Sequence, residues 1–94
     1  MGTIQETTRV RAGGSVYSRT FDSEVVLLDF ARGEYFGLDE VGAEVWQRCC
    51  VGESLGSIAI AIATRYDVSK ESALNDIVAL ISDMHDKQLV TLEP

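Results

Sequence analysis

The sequence predicts an α+β domain of winged-helix-like architecture, in which a three-stranded antiparallel sheet is followed by three helices. Three observations predict it. Apolar and β-branched residues cluster with period two in the first forty positions. The period changes to helical spacing after Asp39 and stays there until residue 87. A capping residue, Asp39, Ser54 or Ser69, falls where each of the three helices must start, and Gly52 falls where the first must stop.

The elements follow in order. Residues 1–8 are polar and are expected to be flexible. Arg9-Val10-Arg11 suits a short strand that Ala12-Gly13-Gly14 breaks. Val16 to Phe21 alternates and reads as a strand, with Asp22-Ser23 as a turn. Glu24 to Phe30 is a leucine- and valine-rich run expected to be buried on both faces, or nearly so. Ala31-Arg32-Gly33 fits a three-residue hairpin loop with Gly33 in the left-handed region. Glu34 to Leu38 returns as the next strand, with Phe36 and Leu38 on one face and Tyr35 and Gly37 on the other.

Asp39 is the expected N-cap of the first helix, and Glu40 favours its positive end. Val41, Val45, Trp46 and Cys49 form its apolar stripe, and Gly52 ends it. Ser54 caps a second helix with Leu55, Ile58, Ala59, Ile62, Ala63 and Tyr66 on one face. Asp67-Val68 connects to a third helix, capped by Ser69, whose core stripe is Ala73, Ile77, Leu80, Ile81 and Met84. Leu89 to Leu92 closes the chain as a short strand or extended tail. Ninety-four residues without repeat or linker make one domain, 1–94.

Composition removes whole classes of function. Fifteen acidic against eight basic residues leave a net charge of −7, so phosphate backbones and anionic membrane surfaces repel the chain. Neither nucleic acid nor membrane is an expected partner. No apolar run approaches the ~20 residues of a membrane span, and the start lacks the basic and apolar regions of a signal peptide. A cytoplasmic location is the expectation. Met1-Gly2 is not read as a myristoylation signal, because position 6 is Glu6.

Catalytic groups are scarce. His85 is the only histidine, placed near the end of the third helix, where a positive charge is favoured. Cys49 and Cys50 are adjacent, cannot staple distant segments, and have no neighbouring base to activate a thiolate. No Cys/His set matches a zinc site, and no glycine-rich loop suits a phosphate. No catalytic residue, metal or cofactor is expected. A winged-helix transcription regulator is the alternative reading. It would press Glu71, Asp76, Asp83 and Asp86 of the third helix against DNA, with Lys70 and Lys87 only at its ends. The strand Glu34–Leu38 is different: it carries no Pro and no Lys, the residues that usually blunt an exposed edge, so the pattern suits either an internal or half-exposed strand packed as core or an open edge that accepts an extended peptide.

The order Val26-Leu27-Leu28-Asp29 … Gly33-Glu34-Tyr35-Phe36-Gly37-Leu38-Asp39-Glu40-Val41-Gly42-Ala43-Glu44-Val45-Trp46 resembles the PqqD-like family. Tyr66-Asp67-Val68, Asp76-Ile77, Leu80 and Leu89-Val90 fall where that family has them, so the likeness covers roughly residues 24–92. The family consists of recognition elements for ribosomally made, post-translationally modified peptides (RiPPs). The resemblance implies capture of a precursor's leader peptide by strand addition. Its nearest form is the leader-binding half of the split lasso-peptide peptidase. It implies a separate cysteine protease as partner, with the pathway's cyclase as a further one. The implied leader-binding residues are Glu34, Tyr35, Phe36, Gly37 and Leu38 on the strand, and Ala73, Asp76, Ile77, Leu80 and Asp83 on the helix. Tyr35 and the apolar helix residues would form pockets, and Asp76 and Asp83 would pair with cationic leader side chains. An open edge also permits pairing with a second copy of the chain. Two positions depart from the family pattern. Asp39 replaces a common Asn, and both cap helices. Gln88 replaces a common Gly and costs about 1 kcal/mol if the left-handed turn is kept.

Overall fold

A computed structural model describes residues 4–93. The elements run β1 (Arg9–Ala12), β2 (Val16–Phe21), β3 (Glu24–Asp29), β4 (Glu34–Leu38), α1 (Glu40–Cys50), α2 (Leu55–Tyr66), α3 (Lys70–Asp86) and β5 (Val90–Glu93). The expected sheet is present, antiparallel in the order β2-β3-β4, and three helices follow it. The likeness to a winged helix is loose, since this whole sheet precedes the helices. The closing segment is a strand, and its partner is the first one. β5 pairs with β1 in a second, two-stranded sheet, from Arg9↔Glu93 to Ala12↔Val90. No local pattern announces that pairing of the two ends of the chain.

The core sits between the sheets and the helices. Leu27, Leu55, Ile58, Ile81 and Met84 are its largest fully buried side chains, joined by Val10, Val25 and Val45. All three expected caps are made. The Asp39 carboxylate accepts from Gly42 N–H at 2.9 Å, Ser54 Oγ from Ser57 N–H at 3.3 Å, and Ser69 Oγ from Ser72 N–H at 3.0 Å. Each cap satisfies an amide that the helix leaves unpaired. The α3 terminus keeps the left-handed turn despite lacking glycine. Gln88 has φ +61°, with Gln88 N–H donating to His85 C=O and Leu89 N–H to Met84 C=O. This paired closure sends the chain back toward β1. Gly13 then lies so close to it that a Cβ there would meet the carbonyl oxygens of Gln88 and Leu89 at 3.2 and 3.3 Å.

Three local expectations are corrected. β3 ends at Asp29, not at Phe30, whose ring is 69% exposed. The β3–β4 loop therefore has four residues, 30–33, with Gly33 at φ +69°. Asp29 explains the early stop: its buried carboxylate Oδ1 accepts from Ser15 Oγ and from the Ala31 and Arg32 amides at 3.1–3.3 Å, which turns the chain. Second, the segment just before β1 is bonded to the core and is not frayed. Thr8 is buried, and Leu55 N–H and Gly56 N–H donate to the carbonyls of Thr8 and Glu6. The expected flexibility over residues 1–3 lies outside the described residues. Third, Val41 does not complete the buried stripe of α1; it is 37% exposed and faces a groove.

Candidate functional site: an open strand edge beside an apolar groove

The orientation of β4's backbone follows from register. Phe30 N–H donates to Ser15 C=O, so Phe30 and Leu28 direct their backbone groups toward β2. Successive residues of a strand alternate, so Val25, Leu27 and Asp29 direct theirs toward β4. Their partners Leu38, Phe36 and Glu34 are thereby committed to the ladder. The backbone groups of Tyr35 and Gly37 face outward. Since β4 is the last strand of its sheet, these groups form its free edge.

Beside that edge runs a groove of about 600 Å³ between β4 and the helices. Phe36, Gly37 and Leu38 form one side, and Ala73, Asp76, Ile77 and Leu80 of α3 the other. Helical spacing explains the second wall, since positions 73, 76, 77 and 80 share one face of α3. Seven of the ten residues expected at the site are thus brought together. Glu34, Tyr35 and Asp83 are not among the groove-lining residues. Tyr35 lies on the other face of β4, opposite Leu28, and is 78% exposed. Glu34 pairs with Arg32 at 3.1 Å, and Asp83 with Lys87 at 2.6 Å. Lys87 also sits 5.6 Å from the centre of the Phe36 ring, and Arg32 Nη1 donates to Gln88 Oε1 at 2.6 Å. These contacts join the β3–β4 loop and β4 to the end of α3. They are exposed pairs, worth about 0–1 kcal/mol each, so the join is a weak one.

Sequence reasoning missed part of the lining. Asp39, Val41, Gly42, Val45, Ile62, Tyr66 and Val68 complete the groove. Val45, Ile62 and Tyr66 were read as core stripe, and a stripe does not reveal where two helices diverge. Tyr66 carries a further feature. Its hydroxyl oxygen is buried and has no hydrogen-bond partner among the described residues.

The groups available for chemistry are few. Burial pushes the Cys49 thiol up to about 12, with the charges of Cys50 and Glu53 adding to it, and burial raises Cys50 as well. Both stay protonated near neutral pH, the opposite of an activated nucleophile. Among the described residues no cluster of His, Cys, Asp and Glu suits a metal ion, and no helix is long and apolar enough to cross a membrane. The exposed side of α3 carries Glu71, Asp76, Asp83 and Asp86, an electrostatic mismatch to DNA.

Fold and site together define a small α+β domain with a free strand edge and an apolar groove. Residues 24–90 match the model of the family described as coenzyme PQQ synthesis protein D (PqqD), and the chain belongs to that family. A "PqqA binding protein" of Bradyrhizobium diazoefficiens is 34% identical over 53 residues, 56% of this chain. That match spans about half, 52%, of the relative's length. Two solved structures share the fold. "TbiB1 in Complex with the TbiA(beta) Leader Peptide" aligns with TM-score 0.81 and 32% identity over 85% of this chain and 93% of that one. "Lasso peptide synthetase B1 complexed with the leader peptide" aligns with TM-score 0.80 and 28% identity over 90% and 98%.

Proposed function

We propose that this chain is a non-catalytic leader-peptide-binding protein of lasso-peptide, and hence RiPP, biosynthesis. It captures a precursor by strand addition to β4 and delivers it to a processing enzyme. One observation carries the reading: the free edge of Tyr35 and Gly37 adjoins an apolar groove, in a fold shared with two leader-peptide complexes. Backbone pairing supplies affinity, and the groove supplies pockets for alternate peptide side chains. The bound precursor meets its enzyme at high local concentration, a rate gain that requires no catalytic group here. The partner in this reading is a separate cysteine protease, with the cyclase as a further one, and the setting is the cytoplasm. Asp76, exposed at the groove wall, pairs with a cationic leader side chain. Asp83 is less suited to that role because Lys87 already holds it.

Calorimetric titration with synthetic lasso-peptide precursor leaders tests the reading. A dissociation constant near micromolar or tighter, about 8 kcal/mol or more, is expected from a short strand with two or three anchors. N-methylation of successive leader amides should weaken binding at every second residue, the period of a paired strand. Absence of binding at high micromolar concentration, or insensitivity to every N-methyl group, removes the proposal.

A further inference from the structure

The Tyr66 hydroxyl is an anomaly within an otherwise apolar surface. Buried hydroxyls are nearly always hydrogen-bonded, because desolvation without a partner is costly. Tyr66 ends α2, and Ile62, Val68 and Ile77 line the groove with it. None of these side chains offers a polar atom. The Arg65 guanidinium lies 5.9 Å from the centre of the ring, and the oxygen remains without a partner among the described residues. The oxygen is closed off from solvent and Tyr66 lines the groove, so a polar group that enters the groove beside the ring is the candidate partner. A phenylalanine would fill the same volume without the penalty. The hydroxyl thus carries a desolvation cost that a polar group on a bound ligand would offset.

We infer that Tyr66 is a specificity-determining residue of the groove. Its hydroxyl hydrogen-bonds the tip of one peptide side chain that has an apolar body and a polar end, such as Thr, Tyr, Trp or His. The inference rests on the proposed peptide-binding reading and deepens it. Apolar pockets discriminate weakly between side chains of similar size. A buried hydrogen-bonding group discriminates better, because an apolar isostere leaves it unpaired. A groove lined by Leu38, Val41, Ile77 and Leu80 has little other means of rejecting the many apolar segments it meets. Asp39 and Asp76 also line it, but both are exposed, so water competes with any ligand they hold.

The test uses the full chain and Tyr66→Phe, each presented with a displayed library of random 15-residue peptides. One anchor position should favour side chains with polar tips on the wild-type protein and their apolar isosteres, Val or Phe, on Tyr66→Phe. A synthetic peptide selected on the wild type should bind Tyr66→Phe about 3- to 10-fold more weakly by fluorescence anisotropy. Its apolar isostere at the anchor should bind both proteins alike. Urea unfolding should show Tyr66→Phe as stable as the wild type or more so, which a structural hydroxyl would not allow. The same anchor preference on both proteins, or a loss of stability, overturns the inference. So does weaker binding that no anchor substitution matches, which would mean a backbone contact. If the library yields no binders at all, the peptide-binding reading fails instead, and the two failures are distinct.

Discussion

The three-stranded sheet has two free edges, and they are not equivalent. β2 and β4 both end the sheet, and both carry aromatic residues and no proline or lysine. At β2 the register leaves Ser18 and Thr20 directed outward, just as Tyr35 and Gly37 are at β4. Yet nearly every β2 residue is exposed, and none of them lines the groove. β4 adjoins a groove whose other wall is α3. An edge alone offers backbone pairing to any strand. An edge with an apolar wall also shields those bonds from water and reads side chains, which separates a recognition site from an aggregation liability.

The largest expected effect comes from removing one outward amide at each edge. Gly37→Pro has space, since a Cβ there meets nothing within 4 Å and its φ is not positive. It deletes a donor that the peptide strand needs and leaves a peptide carbonyl unpaired. Leader affinity should fall at least tenfold. Ser18→Pro makes the same change on β2 and should leave affinity within about twofold. Equal losses by anisotropy would erase the distinction between the edges.

A smaller effect is expected at the groove wall. Asp76→Asn keeps the shape and removes the charge, so a leader with a cationic residue there should bind about threefold more weakly at low salt. The gap should close near 1 M salt, where screening acts within about 3 Å. A salt-independent difference would mean that Asp76 acts by hydrogen bonding and not by charge.

The least effect on either edge is expected from the core beneath them. Folded Cys49 holds its proton to about 12, whereas the unfolded thiol releases it near 9. Above about pH 9 the unfolded state thus binds fewer protons, and stability falls as pH rises toward 12. Below that window Cys49 adds no pH dependence. Urea titrations should show a shallower alkaline loss in Cys49→Ala, with leader affinity at neutral pH unchanged. A loss equal to that of the wild type would place the alkaline sensitivity elsewhere.

Much of this molecule was legible in the chain, because the relevant signals are local. Alternation marked β2, a continuous valine- and leucine-rich run marked β3, the glycine-closed hairpin loop marked the return into β4, and helical periodicity marked three helices. Asp39, Ser54 and Ser69 marked where those helices begin, each by a bond only three residues long. Gln88 is the instructive exception. Its side chain argues against a left-handed turn, and the turn forms anyway, since Leu89 and Val90 are buried behind it. Tertiary packing outweighs a local cost of about 1 kcal/mol. The strand half of the site was readable for the same local reason as the hairpin. The α3 wall was readable only through the family resemblance, and the α1 and α2 lining only as apolar positions.

By itself the sequence determined the elements, the acidic surface, the scarcity of catalytic groups and the family likeness. Each depends on composition or on residues within a few positions of one another. Only the tertiary structure decided that β1 closes on β5, that residues of α1 and α2 complete the groove between β4 and α3, and that the buried Tyr66 hydroxyl has no partner among the described residues. Those facts join residues tens of positions apart. Which apolar face packs and which is left uncovered depends on how all the elements share one small core, and no local pattern records it.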